Sequence, residues 1–87
     1  MIVLVYSNCF VKSCRCLDVQ RQKKIAALFQ ILQNNPFESR LHTKALVGEL
    51  AGIYSFRITR DWRVLFRFDS PHQIALIDIA HRKDIYR

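Results

Sequence analysis

Acidic residues, glycine and proline are all scarce in this 87-residue sequence, which holds seven Asp plus Glu, two Gly and two Pro. It contains no repeat, no low-complexity stretch and no linker, and a hydrophobic content of 51% excludes a disordered chain. Cysteine is present in an odd number, Cys9, Cys14 and Cys16, which argues against a closed disulfide framework. No second Cys/His pair follows at ligand spacing, and three thiols leave a zinc tetrahedron incomplete. The three read as reduced, partly buried thiols of a cytoplasmic protein. Met1 to Tyr6 is apolar but too short for a signal peptide or a membrane span, so no membrane partner is expected.

The shortage of acid leaves fourteen basic residues against seven, a formal charge of +7. Residues 1–39 hold five basic and two acidic residues and residues 40–87 hold nine and five, so the halves carry +3 and +4. With no basic tail, the charge belongs to a folded surface suited to RNA or to an acidic protein. The length predicts one domain spanning 1–87.

Ile2 to Tyr6 is a continuous apolar, β-branched run, which predicts a strand buried on both faces. Ser7 or Asn8 is placed to cap a first helix running to about Cys16, and Asp18 a second. In the second, Ile25, Leu28, Phe29 and Leu32 share one face, Arg21, Lys23 and Lys24 lie on the other, and Asn34-Asn35-Pro36 ends it. Residues 36–53 read as an irregular connection with a short helical turn near Leu46. Three strands follow, at 54–59, 62–68 and 74–80, with turns at Arg60-Asp61 and Asp69 to His72. Short turns make the last three an antiparallel meander. The fold class is α+β: an N-terminal strand and a helical hairpin packed on a twisted antiparallel sheet of about four strands.

The helices cover one sheet face. Alternation puts Arg57, Arg63 and Arg67 on the other, where like charges repel. Two readings stand side by side: these arginines pair with Asp61, Asp69 or Asp78, or they hold an anionic ligand.

The runs Leu50 to Ile58, Asp61-Trp62-Arg63-Val64-Leu65-Phe66 and His81-Arg82-Lys83-Asp84-Ile85-Tyr86 resemble the RelE/ParE toxin superfamily. So do Asn35-Pro36-Phe37 and Leu41-His42-Thr43-Lys44 upstream. Within it the sequence is most similar to ribonuclease toxins of the RelE, YoeB, YafQ and HigB kind. The resemblance covers nearly the whole chain and rests on the joint order and spacing of short motifs. It implies a toxin of a type II toxin–antitoxin system, neutralised by a cognate antitoxin. It further implies a ribosome-dependent endoribonuclease that cuts mRNA in the ribosomal A site, arresting translation and growth, with no metal or organic cofactor. The ParE branch instead implies inhibition of DNA gyrase, and an inactive homologue that only binds antitoxin is a third reading.

Metal-independent RNA cleavage uses the ribose 2′-hydroxyl as nucleophile, a base, cations on the phosphorane and an acid for the 5′-oxygen. Arginine suits the cationic role because its planar fork grips two phosphate oxygens. By the resemblance, Arg63 is the catalytic arginine, against the plainer reading of a strand arginine paired to a carboxylate. Arg57 matches a basic position if one residue is skipped in the turn, and could equally be a cross-strand partner of an acid. His81 is the acid/base candidate, since histidine titrates near neutrality, or is a histidine hydrogen-bonded at a strand end. Tyr86 matches a near-terminal tyrosine that stacks on a base or assists proton transfer, or anchors the C-terminus. Lys44 stands where YoeB-like toxins carry a glutamate, so the general base is open among His42, Lys44, His81 and Glu49. His42, Lys44, Arg67 and Arg82 are candidate substrate contacts, each otherwise a solvated surface residue. His72 is expected to be exposed and idle, and the run Arg21-Gln22-Lys23-Lys24 is a solvated helix face or a contact to ribosomal RNA phosphates.

Overall fold

In a computed structural model that describes residues 1–85, the chain runs β1 (Val3–Tyr6), α1 (Asn8–Arg15), α2 (Val19–Asn34), β2 (Lys44–Ala45), β3 (Tyr54–Arg57), β4 (Trp62–Ser70), β5 (Gln73–His81) and α3 (Arg82–Ile85). Short 3-10 turns at Ser39–Leu41 and Gly48–Leu50 flank β2. The caps form as the sequence predicts. Ser7 accepts from the Phe10 N–H to start α1, and Asp18 accepts from the Arg21 N–H to start α2. Pro36 lacks an N–H, and α2 ends before it at Asn34.

The sheet has five strands in the order β1-β5-β4-β3-β2. The meander β3-β4-β5 is antiparallel, and β1 joins β5 in parallel, with Leu4 opposite Ile74. Two expectations change. The N-terminal strand is not buried on both faces: β1 is an edge strand, and Val3, Val5 and Tyr6 are exposed. Its apolarity comes from serving the helix-packed face through Leu4, while nothing described covers the other. The second is β2, a fifth strand of two residues that pairs with β3 inside the connection read as irregular. Gly48 and Gly52, the two glycines of the chain, both take positive φ there, which glycine adopts without strain.

The core lies between the hairpin and the sheet. Phe10, Ile25, Leu28 and Leu32 from the helices meet Phe56, Val64, Phe66, Ile74, Leu76 and Ile79 from the strands. Phe29 joins as a bridge, its ring lying against Phe10, Tyr6 and Phe56. Each large apolar side chain so buried contributes about 1.5–3 kcal/mol.

The register between β4 and β5 shifts twice, between Leu65 and Phe66 and again between Phe68 and Ser70 beside the turn. Leu65 faces Asp78 but Phe66 faces Leu76, so Ile77 is an extra residue on β5. α1 supports this bulge from the side where β1 has ended. Ser7 donates to the Ile77 carbonyl, and Ser13 donates to the Asp78 carboxylate at 2.6 Å. Bulges of this kind bend a strand and re-aim its side chains.

Candidate active site

Alternation along β3 and β4 sends Phe56, Val64 and Phe66 into the core and Ser55, Arg57, Arg63, Leu65 and Arg67 to the open face. Register then decides which of these meet. Arg57 is directly opposite Arg63, and Arg63 is opposite Ala80 on β5. The next row toward the other end of β3 reads Lys44, Ser55, Leu65, Asp78. The β2–β3 ladder ends at Lys44, and His42 lies two residues before it, in the turn that leads into the strand.

The arginines separate into two kinds. Arg67 pairs with Asp69 at 3.0 Å, and hydrogen bonds from Arg67, then Gln73, hold the Asp69 carboxyl below the usual carboxylate range. Arg57 and Arg63 pair with no carboxylate among the described residues: Asp61 is taken by Arg82 at 3.4 Å and Asp78 by Ser13. Arg63 is only 7% exposed. The Nε atoms of both Arg57 and Arg63 are buried without a hydrogen-bond partner. Of the two readings that the sequence leaves open, carboxylate pairing holds for Arg67 and not for the other two.

Two cations facing each other, with buried donors unpartnered, are destabilising. A buried donor without an acceptor costs about 1–3 kcal/mol. Such cost persists where the surrounding fold imposes it, and it is typical of ligand-binding positions. An anion with several oxygens would satisfy both guanidinium groups at once.

Two other candidates, His42 and Lys44, lie on the connection beside β3, and a third, His81, lies off the arginine face. His42 is exposed and takes a left-handed backbone, φ 50°. Its loop is held by buried Leu41 before it and by Thr43 after it, whose hydroxyl donates to the Pro36 carbonyl at 2.6 Å. Lys44 is exposed on the edge strand. His81 is opposite Trp62, and the two rings meet edge to face with centroids 5.2 Å apart. Trp62 packs toward the core, so His81 leans to the helix side of the sheet end, not to the arginine side. Its Nδ1 accepts from the Lys83 N–H at 3.2 Å, which leaves Nε2 to carry the proton of the neutral ring.

The remaining candidates are not brought to the arginine pair. Arg67 lies four residues along β4 from Arg63, about 13 Å at strand spacing. Arg82 is held to the β3–β4 turn by its bond to Asp61 and by its N–H on the Asp61 carbonyl at 2.8 Å. Tyr86 lies outside the described residues. Ser55 received no role from the sequence, yet it is 0% exposed and its hydroxyl is also buried without a partner. Alternation could place it on the arginine face; only the three-dimensional packing shows that it is buried and unbonded there. No group of three or more metal-ligating side chains occurs among the described residues, and no described helix is long and apolar enough to cross a membrane.

A family model described as the ParE toxin of type II toxin–antitoxin systems, parDE, matches residues 13–86. Among solved structures, the chain is similar to a YoeB/ParE toxin from Agrobacterium tumefaciens. The TM-score is 0.80 and identity 24%, over 93% of this chain and 99% of the other. The toxin–antitoxin complex RelBE2 from Mycobacterium tuberculosis gives a TM-score of 0.77 at 24% identity, over 93% and 98%. YafQ from E. coli strain BL21(DE3) gives 0.76 at 16% identity over the whole of both chains. No curated protein matches the sequence.

Proposed function

The chain belongs to the ParE toxin family of type II toxin–antitoxin systems, within the RelE/ParE superfamily, and from that premise we propose that it is a ribosome-dependent endoribonuclease that cleaves mRNA. The observation that carries the reading is the facing pair Arg57 and Arg63, whose Nε donors are buried and unpartnered. Binding protein alone does not call for two facing arginines whose Nε donors are buried without an acceptor. A scissile phosphate does, because negative charge grows on its oxygens as the 2′-oxygen attacks.

In the proposed reaction the 2′-oxygen bonds to phosphorus, the P–O5′ bond breaks, and a 2′,3′-cyclic phosphate and a 5′-hydroxyl result. Arg63 stabilises the phosphorane, and Arg57 grips a second phosphate oxygen. His42, in the turn that leads into β2, takes the 2′-proton, and Lys44, opposite Ser55, contacts an adjoining phosphate. His81 is the candidate proton donor to O5′: as the imidazolium it gives up the bond from the Lys83 N–H, swings around the end of β5 and donates its Nε2 proton, returning to the neutral ring. Tyr86 remains the proposed stacking residue. Arg82 and Arg67, already paired to carboxylates, are outer contacts to the RNA backbone.

The partners proposed are the ribosome, mRNA and a cognate antitoxin, in the cytoplasm, with 1–87 acting as one domain. An antitoxin segment with carboxylates would suit the arginine face, and the uncovered edge of β1 would accept an extended strand. The family model favours a second reading, since it describes ParE toxins: inhibition of DNA gyrase by binding, without RNA cleavage.

The test is induction without antitoxin, with reporter mRNA ends mapped by primer extension for wild type, Arg63→Ala and His81→Ala, with and without a start codon. Expected are new 5′ ends inside the translated frame that vanish without the start codon and in both variants. Growth arrest with intact mRNA would overturn the nuclease reading, and loss of supercoiling by purified gyrase would establish the second.

A further inference from the structure

Three polar atoms on one stretch of the open sheet face are buried without a hydrogen-bond partner: Arg57 Nε, Arg63 Nε and Ser55 Oγ. Two belong to the proposed phosphate clamp. The third has no role in the mechanism above. Ser55 and Arg57 are two residues apart on the same side of β3, about 7 Å at strand spacing, and Arg63 is directly opposite Arg57. The cross-strand neighbours of Ser55 are Leu65, which offers no side-chain acceptor, and Lys44, which offers only donors. Buried hydroxyls almost always find a partner. Three contiguous donors without one point to a shared acceptor with several oxygens.

From this we infer that Ser55 is the third donor of the anion site, its hydroxyl binding an oxygen of the same phosphate group that Arg57 and Arg63 hold. The serine side chain ends one bond beyond Cβ, so its oxygen lies near the sheet. The guanidinium groups ride on three methylenes and can turn. Ser55 is thus the floor of the site and the arginines its movable walls. Phosphate reaches the floor as it draws the guanidinium forks aside to face it. Lys44, in the same row as Ser55, adds a cation at the rim. The inference rests on reading the arginine pair as a phosphate clamp, and not on the ribosome or on either histidine.

The experiment titrates inorganic phosphate into the full chain labelled with 15N, following the Arg57 and Arg63 Nε–H signals, and measures thermal unfolding without phosphate. Ser55→Ala is expected to weaken phosphate binding about tenfold, the loss of one hydrogen bond to a charged acceptor. The same variant should unfold at the wild-type temperature or above it, because an unbonded buried hydroxyl has been removed. Arg40→Ala, which removes the same charge from an exposed arginine paired to Glu38 off the strands, should bind phosphate within about twofold of wild type. Unchanged phosphate affinity in Ser55→Ala overturns the inference and leaves the clamp standing. A fall in unfolding temperature overturns it too, by showing that the hydroxyl serves the fold. Arginine signals in the wild type that ignore phosphate overturn the clamp and the inference together.

Discussion

Arg63 and Arg67 project from the same side of one strand, yet only Arg67 has a carboxylate partner. The difference fixes what each substitution should do. Arg63→Ala is expected to lower the cleavage rate by about 10²–10³, the range for removing one donor from a developing oxyanion. Arg63→Lys should not restore it, because an ammonium cannot span two oxygens as the planar fork does. Arg67→Ala should leave the rate within a few-fold. Initial rates of cleavage on programmed ribosomes check all three, and equal losses at 63 and 67 would show that charge alone matters. His42→Ala should lower the same rate by about 10²–10⁴, the usual contribution of a positioned general base, without moving the unfolding temperature. A wild-type rate in His42→Ala would pass the base role to Lys44 or His81.

The site depends on how the elements meet, and Ser7 shows how few contacts set that meeting. Its hydroxyl oxygen accepts from Phe10 to cap α1, and its proton goes to the carbonyl of Ile77, the bulge residue of β5. Ser7→Ala loses both and should cost about 1–2 kcal/mol in urea unfolding, against about 1 kcal/mol for Asp18→Ala, which caps α2 and otherwise makes only a solvent-exposed ion pair with Arg21 at 4.0 Å. Equal losses would show that the bulge contact contributes nothing. Such capping was legible in the sequence, as were both helices and the three-strand meander, because each rests on local chemistry: a capping oxygen, a 3.6-residue stripe, strict alternation. The placement of β1 at an edge was not, since a run such as Ile2 to Tyr6 states how apolar a strand is and not how many neighbours it has. β2 escaped notice because two residues carry no period. His81 illustrates the same limit at the site: the sequence gives its position at the strand end, but the bulge at Ile77 flips the alternation, so its ring faces Trp62 and not Arg63. The facing of Arg57 and Arg63 depended on a turn length that alternation alone does not fix.

The whole molecule carries +7, with basic residues spread over both halves of the chain and no acidic block to offset them. A surface of that sign draws a polyanion from a distance and does so less as salt rises. Binding of a single-stranded RNA with deoxyribose at the scissile position, which removes the nucleophile, should therefore fall linearly in log–log form with salt. The slope measures how many phosphates the protein neutralises, at about 0.7 per contact for a single strand. Replacing both Arg57 and Arg63 with Gln should reduce that slope by about 0.7, because the pair holds one phosphate. Replacing Lys23 and Lys24 on the outer side of α2 should leave it unchanged if that helix faces solvent when RNA is bound. The two pairs remove the same formal charge, so a general attraction would shift both slopes alike. Only a sited contact separates them, which makes the comparison a measure of how far the function lies in the arginine pair and how far in the charge of the molecule as a whole.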